Sequence, residues 1–310
     1  MDYDGDGHDD LISGSYDPGT FHLFRGLGKG KFAARETLMD RAGKTVLTNP
    51  EVAEAVGSFG SWVAMVDWDD DEDLDLVLGS FEGQVKVRLN EGTRTAPVWA
   101  AGNVTVQADG EDILVPGHHF TPVIADWDDD GLWDLLSGSD EGSVWWYRNI
   151  GVLGDPKFMP GQMLVTAPEG FGYDEWVEDG QLDPGIRSQI AVSDWNGDGR
   201  LDLLVGDFRT AICPKKDLGA EDTARLRRIH EKMGTLNSRI YDAEDEERAL
   251  RGKKDALDEA RAARSRLIAL EAESKKLMEL ARPLMSDGDG MRLGANLSRS
   301  YGFVWLYLRR

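Results

Sequence analysis

The sequence predicts a mainly β protein: a β-propeller of about four blades, with an antiparallel α-helical coiled-coil hairpin inserted near its C-terminal end. Three observations predict this fold. An acidic nine-residue motif occurs four times at a regular spacing, short apolar runs flank the copies, and one later segment changes to helical spacing. The chain has 310 residues, of which 41% are hydrophobic, so it holds enough apolar material to bury a core.

The acidic motif is the element that repeats most clearly. Its copies, called loops 1 to 4 below, begin at Asp2, Asp67, Asp126 and Asp194, which are 65, 59 and 68 residues apart. Aspartate or asparagine occupies positions 1, 3, 5 and 9 of every copy, and an apolar run ending in glycine follows. Four copies at so regular a spacing indicate a repeat architecture with one structural unit per copy.

Strands are predicted on both sides of these loops. The runs before loops 2, 3 and 4 are rich in β-forming residues and cover 62–66, 122–125 and 189–192. A second strand follows each loop, and a third, alternating strand comes next, at 20–25, 84–89, 143–148 and 302–309. A strand, acidic loop, strand, turn and strand form an antiparallel meander, so we expect each repeat to be one blade.

The fourth repeat is interrupted by a helical segment. Apolar residues there step by three and four, from Leu226 through Ile229 and Met233 to Leu236. This spacing predicts two helices, roughly 220–250 and 253–284, in an antiparallel coiled-coil hairpin about 45 Å long that ends at Gly288 and Gly290. We therefore expect two domains: the blades in 1–210 plus 301–310, and the hairpin insertion in 211–300.

The acidic loops predict bound cations. Crowded carboxylates repel one another unless a cation lies among them. Side chains at positions 1, 3, 5 and 9, a backbone carbonyl at position 7 and glycine at position 6 match the ligand pattern of a Ca²⁺ loop. The alternative is a solvated Asx-turn, which uses the same residue types. The predicted ligands, for up to four Ca²⁺ ions, are Asp2, Asp4, Asp6, His8 and Asp10 in loop 1; Asp67, Asp69, Asp71, Asp73 and Asp75 in loop 2; Asp126, Asp128, Asp130, Leu132 and Asp134 in loop 3; and Asp194, Asn196, Asp198, Arg200 and Asp202 in loop 4.

Composition excludes several other classes of protein. The formal net charge is −22, with 35 Lys and Arg against 57 Asp and Glu, which argues against nucleic acid and anionic membranes as partners. No apolar window is long enough to span a membrane. Cys213 is the single cysteine, so there is no internal disulfide framework. Asp2 and Asp4 follow Met1 where a signal peptide would be basic and then apolar, so either the protein is cytosolic or its natural start lies elsewhere.

These loops resemble the FG-GAP/VCBS repeat of integrin α-subunit-like calcium-binding β-propellers. The Asp-x-Asp/Asn-x-Asp-Gly-x-x-Asp-Leu pattern matches that family's calcium site, and Phe59-Gly60 running into Asp67 matches its opening strand. The resemblance covers 1–210 and 301–310. The sequence departs from the family in lacking the Gly-Ala-Pro tripeptide, in placing Glu72 at position 6 of loop 2, and in having four repeats where six to eight blades are common. We expect a fragment of a larger propeller, with a four-bladed or open assembly as the alternative.

The resemblance implies a non-catalytic, calcium-binding module for adhesion, protein interaction or scaffolding. We expect it outside the cytosol, extracellular, periplasmic or at the cell surface, because cytosolic Ca²⁺ is too low for such sites. A carbohydrate-binding or polysaccharide-degrading propeller is the alternative. The expected partners are a protein or glycan on a propeller face and a second partner on the hairpin. No catalytic or cofactor-binding residues can be nominated, since every carboxylate pair has calcium spacing and no cluster of His, Tyr, Lys or Arg is visible.

Aromatic and histidine residues give the remaining expectations. The aromatic residues at loop position 2, which are Tyr3, Trp68, Trp127 and Trp195, are predicted to pack between neighbouring blades. Trp145 and Trp146 point to opposite faces of one strand, so at most one is expected in a core. Trp176 is the candidate for ligand contact. His118 and His119 are expected at a loop or strand edge, because no third metal-ligating residue shares their spacing.

Overall fold

The computed structural model describes residues 2–16, 18–50, 60–168, 175–176, 184–212, 214–215, 217–250, 257–285 and 299–309. These residues are mainly β, with several antiparallel sheets and two long helices. They form two compact units. The first comprises the described residues of 1–171, 184–208 and 302–310, and the second those of 172–183 and 209–301. Phe59, the predicted helix start at 253–256, and the turn glycines Gly288 and Gly290 lie outside the described residues.

Loops 1 and 2 belong to sheets 1 and 2 of the first unit: loop 1 precedes the first strand of sheet 1, and loop 2 connects the first two strands of sheet 2. Sheet 1 contains β1 (Leu11–Gly14), β2 (Phe21–Phe24) and β3 (Glu36–Thr37). Sheet 2 contains β4 (Ser61–Val66), β5 (Asp75–Ser80), β6 (Val85–Arg88) and β7 (Val104–Thr105). Both are antiparallel meanders in chain order. A two-stranded ribbon follows, formed by β8 (Gln107–Ala108) and β9 (Glu111–Asp112).

Sheets 3 and 4 repeat this arrangement. Sheet 3 contains β10 (Thr121–Ala125), β11 (Asp134–Gly138), β12 (Val144–Tyr147) and β13 (Gln162–Val165), again in chain order. Beyond β14 (Glu175–Trp176), sheet 4 is formed by β15 (Ile186–Ser193) and the first part of β16 (Asp202–Ile212). After the helices and β17 (Arg299–Tyr301), β18 (Val304–Tyr307) pairs antiparallel with β16, Leu203 opposite Tyr307. The predicted return of the chain to its interrupted repeat is confirmed.

Successive sheets of the first unit pack face to face. The residue after loop position 9, called position 10, and the next one, position 11, point to opposite faces of the second strand. Leu76, Leu135 and Leu203 at position 10 pack toward the preceding sheet, and Val77 and Leu136 at position 11 pack toward the following sheet. Three apolar cores therefore lie between the four sheets, and the second strands of sheets 2 and 3 contribute to the cores on both of their sides.

The adjacent tryptophans of β12 follow this alternation. Trp145 packs against the core between sheets 2 and 3, and Trp146 packs against the core between sheets 3 and 4. Both side chains are only partly buried and neither is itself a buried core residue, so the expectation that at most one of them belongs to a core is not contradicted, and both faces of sheet 3 are covered.

Glycine at the end of the second strand allows neighbouring sheets to come close. A Cβ atom added to Gly14, Gly79 or Gly138 would lie 1.7, 1.9 or 2.0 Å from a backbone carbonyl oxygen at the start of the next sheet. At the equivalent Gly206 the nearest atom would be 3.5 Å away, in its own sheet. The repeated glycine is thus a steric requirement at three junctions.

The second unit is built around two helices, α1 (Ala220–Leu250) and α2 (Leu257–Ala281), the latter continued by a 3₁₀ turn at Arg282–Leu284. Leu226, Ile229 and Met233 near the start of α1 share a buried core with Ala281 at the end of α2, so the helices run antiparallel. The predicted apolar seam is confirmed. Neither described helix has a stretch long and apolar enough to cross a membrane.

Two short strands complete the described part of this unit. The end of β16 pairs in parallel with β14, where Trp176 lies opposite Ile212, and antiparallel with β17, where Ala211 lies opposite Arg299. The expected ligand contact of Trp176 stays a prediction.

Gly138→Ala should destabilise the first unit, because the new methyl group would overlap the carbonyl oxygen of Ser188 and force two sheets apart. We expect the free energy of unfolding to fall by about 2–3 kcal/mol, measured by urea denaturation at fixed calcium. Gly206→Ala is the matched control and should change it by less than about 0.5 kcal/mol. Equal effects of the two substitutions would contradict the close approach between sheets.

Candidate metal centre

The aspartate at position 1 of each loop organises the turn that follows it. The carboxylate of Asp67 accepts hydrogen bonds from the backbone amides of Asp71 and Glu72, at 3.1 and 3.0 Å. Asp126 accepts the equivalent bonds from positions 5 and 6 of loop 3, at 3.0 and 2.9 Å. Asp194 does the same in loop 4, and Asp2 accepts from the amide at position 6 of loop 1. All four loops therefore curl around their first carboxylate.

The aspartate at position 5 holds the second half of the turn. Its Oδ1 accepts a hydrogen bond from the backbone amide at position 7 in every loop, at 2.8–3.0 Å. This leaves the position 7 carbonyl, rather than its side chain, as the atom available to a cation. The side chains at position 7 are His8, Asp73, Leu132 and Arg200, which is consistent with a role for the backbone only.

Two positions of each loop have a left-handed backbone. At position 6, Gly7, Gly131 and Gly199 have φ of 87–88°, and Glu72 has φ of 71°. At position 4, Asp70 and Asp129 also have positive φ, at 61° and 63°. The backbone of Glu72 is therefore strained, since a residue other than glycine rarely adopts this conformation. At position 4 the residues are glycine or aspartate, types that tolerate this conformation, and nothing else in the sequence marks the position as left-handed.

The aspartate at position 9 is buried and joins the loop to the third strand. One of its oxygens accepts a hydrogen bond from the amide at position 2, as Asp75 does from Trp68 at 2.9 Å. The other accepts from the second residue after the third strand of the repeat, as Asp75 does from Asn90 at 2.7 Å. Asp10, Asp134 and Asp202 make the same pair of bonds. The position 9 carboxylate is thus part of the framework of the site.

Carboxylates at positions 1, 3 and 5 converge in three loops. Ligand oxygens of Asp2, Asp4 and Asp6 lie within 4.8 Å of one another, and the same holds for Asp67, Asp69 and Asp71 and for Asp126, Asp128 and Asp130. In loop 4 the third position is Asn196, whose side-chain amide lies 3.1 Å from a carboxylate oxygen of Asp198. The structure therefore brings together the first three predicted ligands of loops 1, 2 and 3.

Several oxygens of these loops are buried without a hydrogen-bond partner. They are Oδ1 of Asp2 and Asp4 in loop 1, of Asp73 in loop 2 and of Asp128 in loop 3. A buried acceptor without a donor is unfavourable by about 1–3 kcal/mol, and more when it is charged. A divalent cation among the carboxylates at positions 1, 3 and 5 would satisfy the oxygens of Asp2, Asp4 and Asp128, so the residues present fit Ca²⁺ and its preference for oxygen ligands.

Arginines lie beside two of the loops. Arg25 forms an ion pair with Asp4, and Arg148 contacts Asp128 at 2.5 Å and Asp130 at 3.0 Å. Both arginines occupy the repeat position directly after the third strand, where loop 2 has Leu89. Loop 2, which holds seven acidic residues in nine, thus lacks the cation that this position supplies to loops 1 and 3.

The pKa values of two carboxyl groups in loop 2 are consistent with the lack of a neighbouring arginine. Burial, followed by repulsion from Asp71 and Asp69, raises the pKa of Asp73 to about 6. Burial also raises the pKa of Asp75 to about 7, although the amides of Asn90 and Trp68 act in the opposite direction. In loop 4 the pKa of Asp198 is lowered, mainly because the amide of Arg200 donates to its carboxylate. Without a cation, loop 2 is the loop in which ionised carboxylates are least favourable.

The position 2 aromatic residues bring the loops into contact with the cores. Tyr3 and Trp127 are buried, and Trp68 packs against Trp133 and Phe158 at ring distances of 4.9 and 6.0 Å. The prediction that these residues pack between sheets is confirmed for three loops. It is wrong for Trp195, which is 62% exposed because no further sheet covers it among the described residues.

A second repeated element was missed by sequence reasoning. Asn90 and Asn149 follow the third strands, and the side-chain oxygen of each accepts two backbone hydrogen bonds that close a hairpin, at 2.8–3.1 Å. The hairpins end in Trp99 and Phe158, which are buried against the position 2 aromatic residue of the preceding loop. The sequence signal was present, since Asn90 and Asn149 are separated by the same 59 residues as loops 2 and 3.

The two histidines lie in a tight connection before β10. His118 and His119 both have positive φ, and the ring of His119 packs against Phe81 and Trp62 at 4.0 and 5.2 Å. Nδ1 of His119 is 3.4 Å from Asp140. The expected position at a strand edge is confirmed.

No protein-family model matches the chain, and no curated protein matches it.

Glu72→Gly should tighten calcium binding at loop 2, because glycine relieves a left-handed backbone that is unfavourable by about 1 kcal/mol for other residues. This corresponds to about a fivefold decrease in Kd, measured by isothermal calorimetry. Glu72→Gln is the matched control, since it removes the same charge and keeps the strained backbone. If the glycine variant binds no more tightly than the glutamine variant, position 6 does not limit the site.

The calcium-free protein should become less stable as pH rises from about 5 to 7.5. The raised pKa values of Asp73 and Asp75 mean that the folded state binds more protons than the unfolded state in this window, so stability falls as they ionise. Asp73→Asn should flatten this dependence while keeping the backbone carbonyl. Melting curves in chelator at several pH values measure it, and a melting temperature that rises with pH would contradict the assignment. Saturating Ca²⁺ should reverse the slope.

Proposed function

We propose that the chain is a calcium-stabilised, non-catalytic repeat protein that acts as an adhesion, protein-interaction or scaffolding module outside the cytosol. The observation that carries this proposal is the convergence of three carboxylates in each of loops 1, 2 and 3. The buried, unpartnered oxygens of these loops support it, because a solvated Asx-turn would leave its acceptors open to water.

Each loop residue has a separate role in holding the ion. Positions 1, 3 and 5 supply carboxylate or amide oxygens, position 7 supplies its carbonyl, and position 9 fixes both ends of the loop by accepting two backbone amides. Calcium supplies the positive charge that offsets repulsion among the carboxylates. We propose up to four such sites, with loop 4 using Asn196 in place of one carboxylate.

We further propose that sheets 1 to 4 are blades of an FG-GAP/VCBS-type β-propeller. Supporting this are the antiparallel meanders in chain order, the apolar cores between successive sheets, and the recurrence of one hydrogen-bond pattern in all four loops. Stacked sheets of this kind present their loops along shared edges, and such surfaces suit the binding of large partners. The helical hairpin would offer a second binding surface.

A non-catalytic role is favoured by the environment of the histidines. His119 is only 6% exposed, and burial lowers its pKa. It contacts aromatic rings and Asp140 rather than an open cleft. A group so enclosed serves packing better than proton transfer to a substrate.

A glycan ligand is the second candidate, and one feature favours it. A cleft of about 650 Å³ lies between the outer strands of sheet 2 and the hairpin of sheet 3. It is lined by Trp68 and Phe158 together with the polar residues Gln107, Asp109 and Lys157. Aromatic faces beside hydrogen-bonding groups suit a sugar ring. A glycan array probed with Ca²⁺ and with chelator separates the two candidates.

Millimolar Ca²⁺ should raise the melting temperature of the first unit, and chelator should lower it. A ligand that binds only the folded state adds about 2.7 kcal/mol per site at a hundredfold excess over its Kd. Asp128→Asn should remove part of this effect, because Asp128 is one of the converging ligands of loop 3. Asp140→Asn changes an acidic residue outside the loops and is the control. Identical melting curves in Ca²⁺ and in EGTA would refute calcium binding.

A further inference from the structure

The three junctions between sheets use the same repeat positions. At each junction, the position 10 residue of one sheet lies in the same apolar core as the position 11 residue of the preceding sheet. The pairs are Leu76 with Ile12, Leu135 with Val77, and Leu203 with Leu136. The three position 10 leucines are at most 2% exposed. We call the side of a sheet that carries position 10 its preceding face, and the other side its following face.

Aromatic residues complete the first two junctions in the same way. The position 2 aromatic residue on the following face pairs with the residue that closes the hairpin of the next sheet. Tyr3 and Trp99 lie 6.2 Å apart, and Trp68 and Phe158 lie 6.0 Å apart. The backbone of Trp99 forms a β-bridge with Asn90, and that of Phe158 forms one with Asn149. Phe32 forms the equivalent bridge with Gly26 in sheet 1.

The two outer faces of the first unit expose the two halves of this junction. On the preceding face of sheet 1, Leu11 is 49% exposed and Phe32 is 45% exposed. On the following face of sheet 4, Trp195, Val304 and Leu306 are 62%, 71% and 42% exposed. Residues at the corresponding places of the inner sheets are buried or half-buried. Each outer face therefore lacks, among the described residues, the partner that the other face could provide.

We propose that the following face of sheet 4 binds the preceding face of sheet 1 in a second copy of this chain. The internal junctions set the arrangement: Trp195 takes the place of Tyr3 and Trp68, and the second copy's Phe32 takes the place of Trp99 and Phe158. Leu11 of the second copy then packs beside Leu306, as the position 10 leucines pack inside the chain. Because the two faces differ, the contact is head to tail, and it closes into a ring or continues as a chain. This proposal does not depend on the identity of any ligand.

Two blocking substitutions test the arrangement. Phe32→Asp places a charge on the sheet 1 face and leaves the sheet 4 face intact, while Leu306→Asp does the reverse. Leu153→Asp, at a leucine that is 58% exposed away from both faces, is the matched control. Sedimentation velocity of the full chain at fixed Ca²⁺, over a hundredfold range of concentration, gives the mass of each species. Melting curves confirm that each variant is folded.

The expected result is specific to a head-to-tail contact. The unsubstituted chain and the Leu153→Asp variant should self-associate, whereas each blocked variant alone should be monomeric, with association weakened at least tenfold. An equimolar mixture of the two blocked variants should form a dimer, because one intact face of each kind remains. Monomeric unsubstituted chain at every concentration would overturn the proposal, and so would dimers of Phe32→Asp or of Leu306→Asp alone, which require like faces to pair.

Discussion

The buried aspartate at loop position 9 connects the local and the long-range structure of every repeat. Its carboxylate accepts one hydrogen bond from the start of its own loop and another from a backbone amide just beyond the third strand. The second donor lies 15 residues after Asp75 in loop 2 and 107 residues after Asp202 in loop 4. The second bond to Asp202 comes from Arg309, across the whole helical insertion. A single carboxylate thus fixes the loop, the strand order and the return of the chain, whatever separates the strands in sequence.

The same geometry creates an electrostatic cost that the repeats offset differently. Holding position 9 in place directs the carboxylates at positions 1, 3 and 5 into a small volume, where they repel one another. Loops 1 and 3 have Arg25 and Arg148 at the end of the third strand. Loop 2 has Leu89 there and seven acidic residues, and the carboxyl groups of Asp73 and Asp75 respond by retaining protons to higher pH. Loop 2 therefore depends most on an added cation.

Local patterns in the sequence were sufficient for the strands, the loops and the helical seam. Alternation of apolar residues identified the third strands, and the step of three and four residues identified α1 and α2. The packing between sheets was harder to predict from the sequence, because it depends on which face of a sheet is covered by a neighbour. Trp145 and Trp146 each pack against a core only because sheet 3 has a neighbour on each side, and Trp195 is exposed although its sequence context resembles that of Trp127. The hairpins closed by Asn90 and Asn149 could have been found from the sequence, because the two asparagines recur at the same 59-residue spacing as loops 2 and 3.

Position 2 shows how an ion held in a loop would influence the packing of whole sheets. The backbone amide at this position donates to the position 9 carboxylate, and its aromatic side chain enters the core between two sheets. In loop 3 the ring of Trp127 also lies 5.5 Å from the guanidinium of Arg309, which follows the last strand of the next sheet. A change in the loop must therefore move either a buried hydrogen bond or a buried ring, and neither can adjust without loss of packing. The stability of the sheet stack and the conformation of its acidic loops are coupled through this one residue in each of the first three repeats.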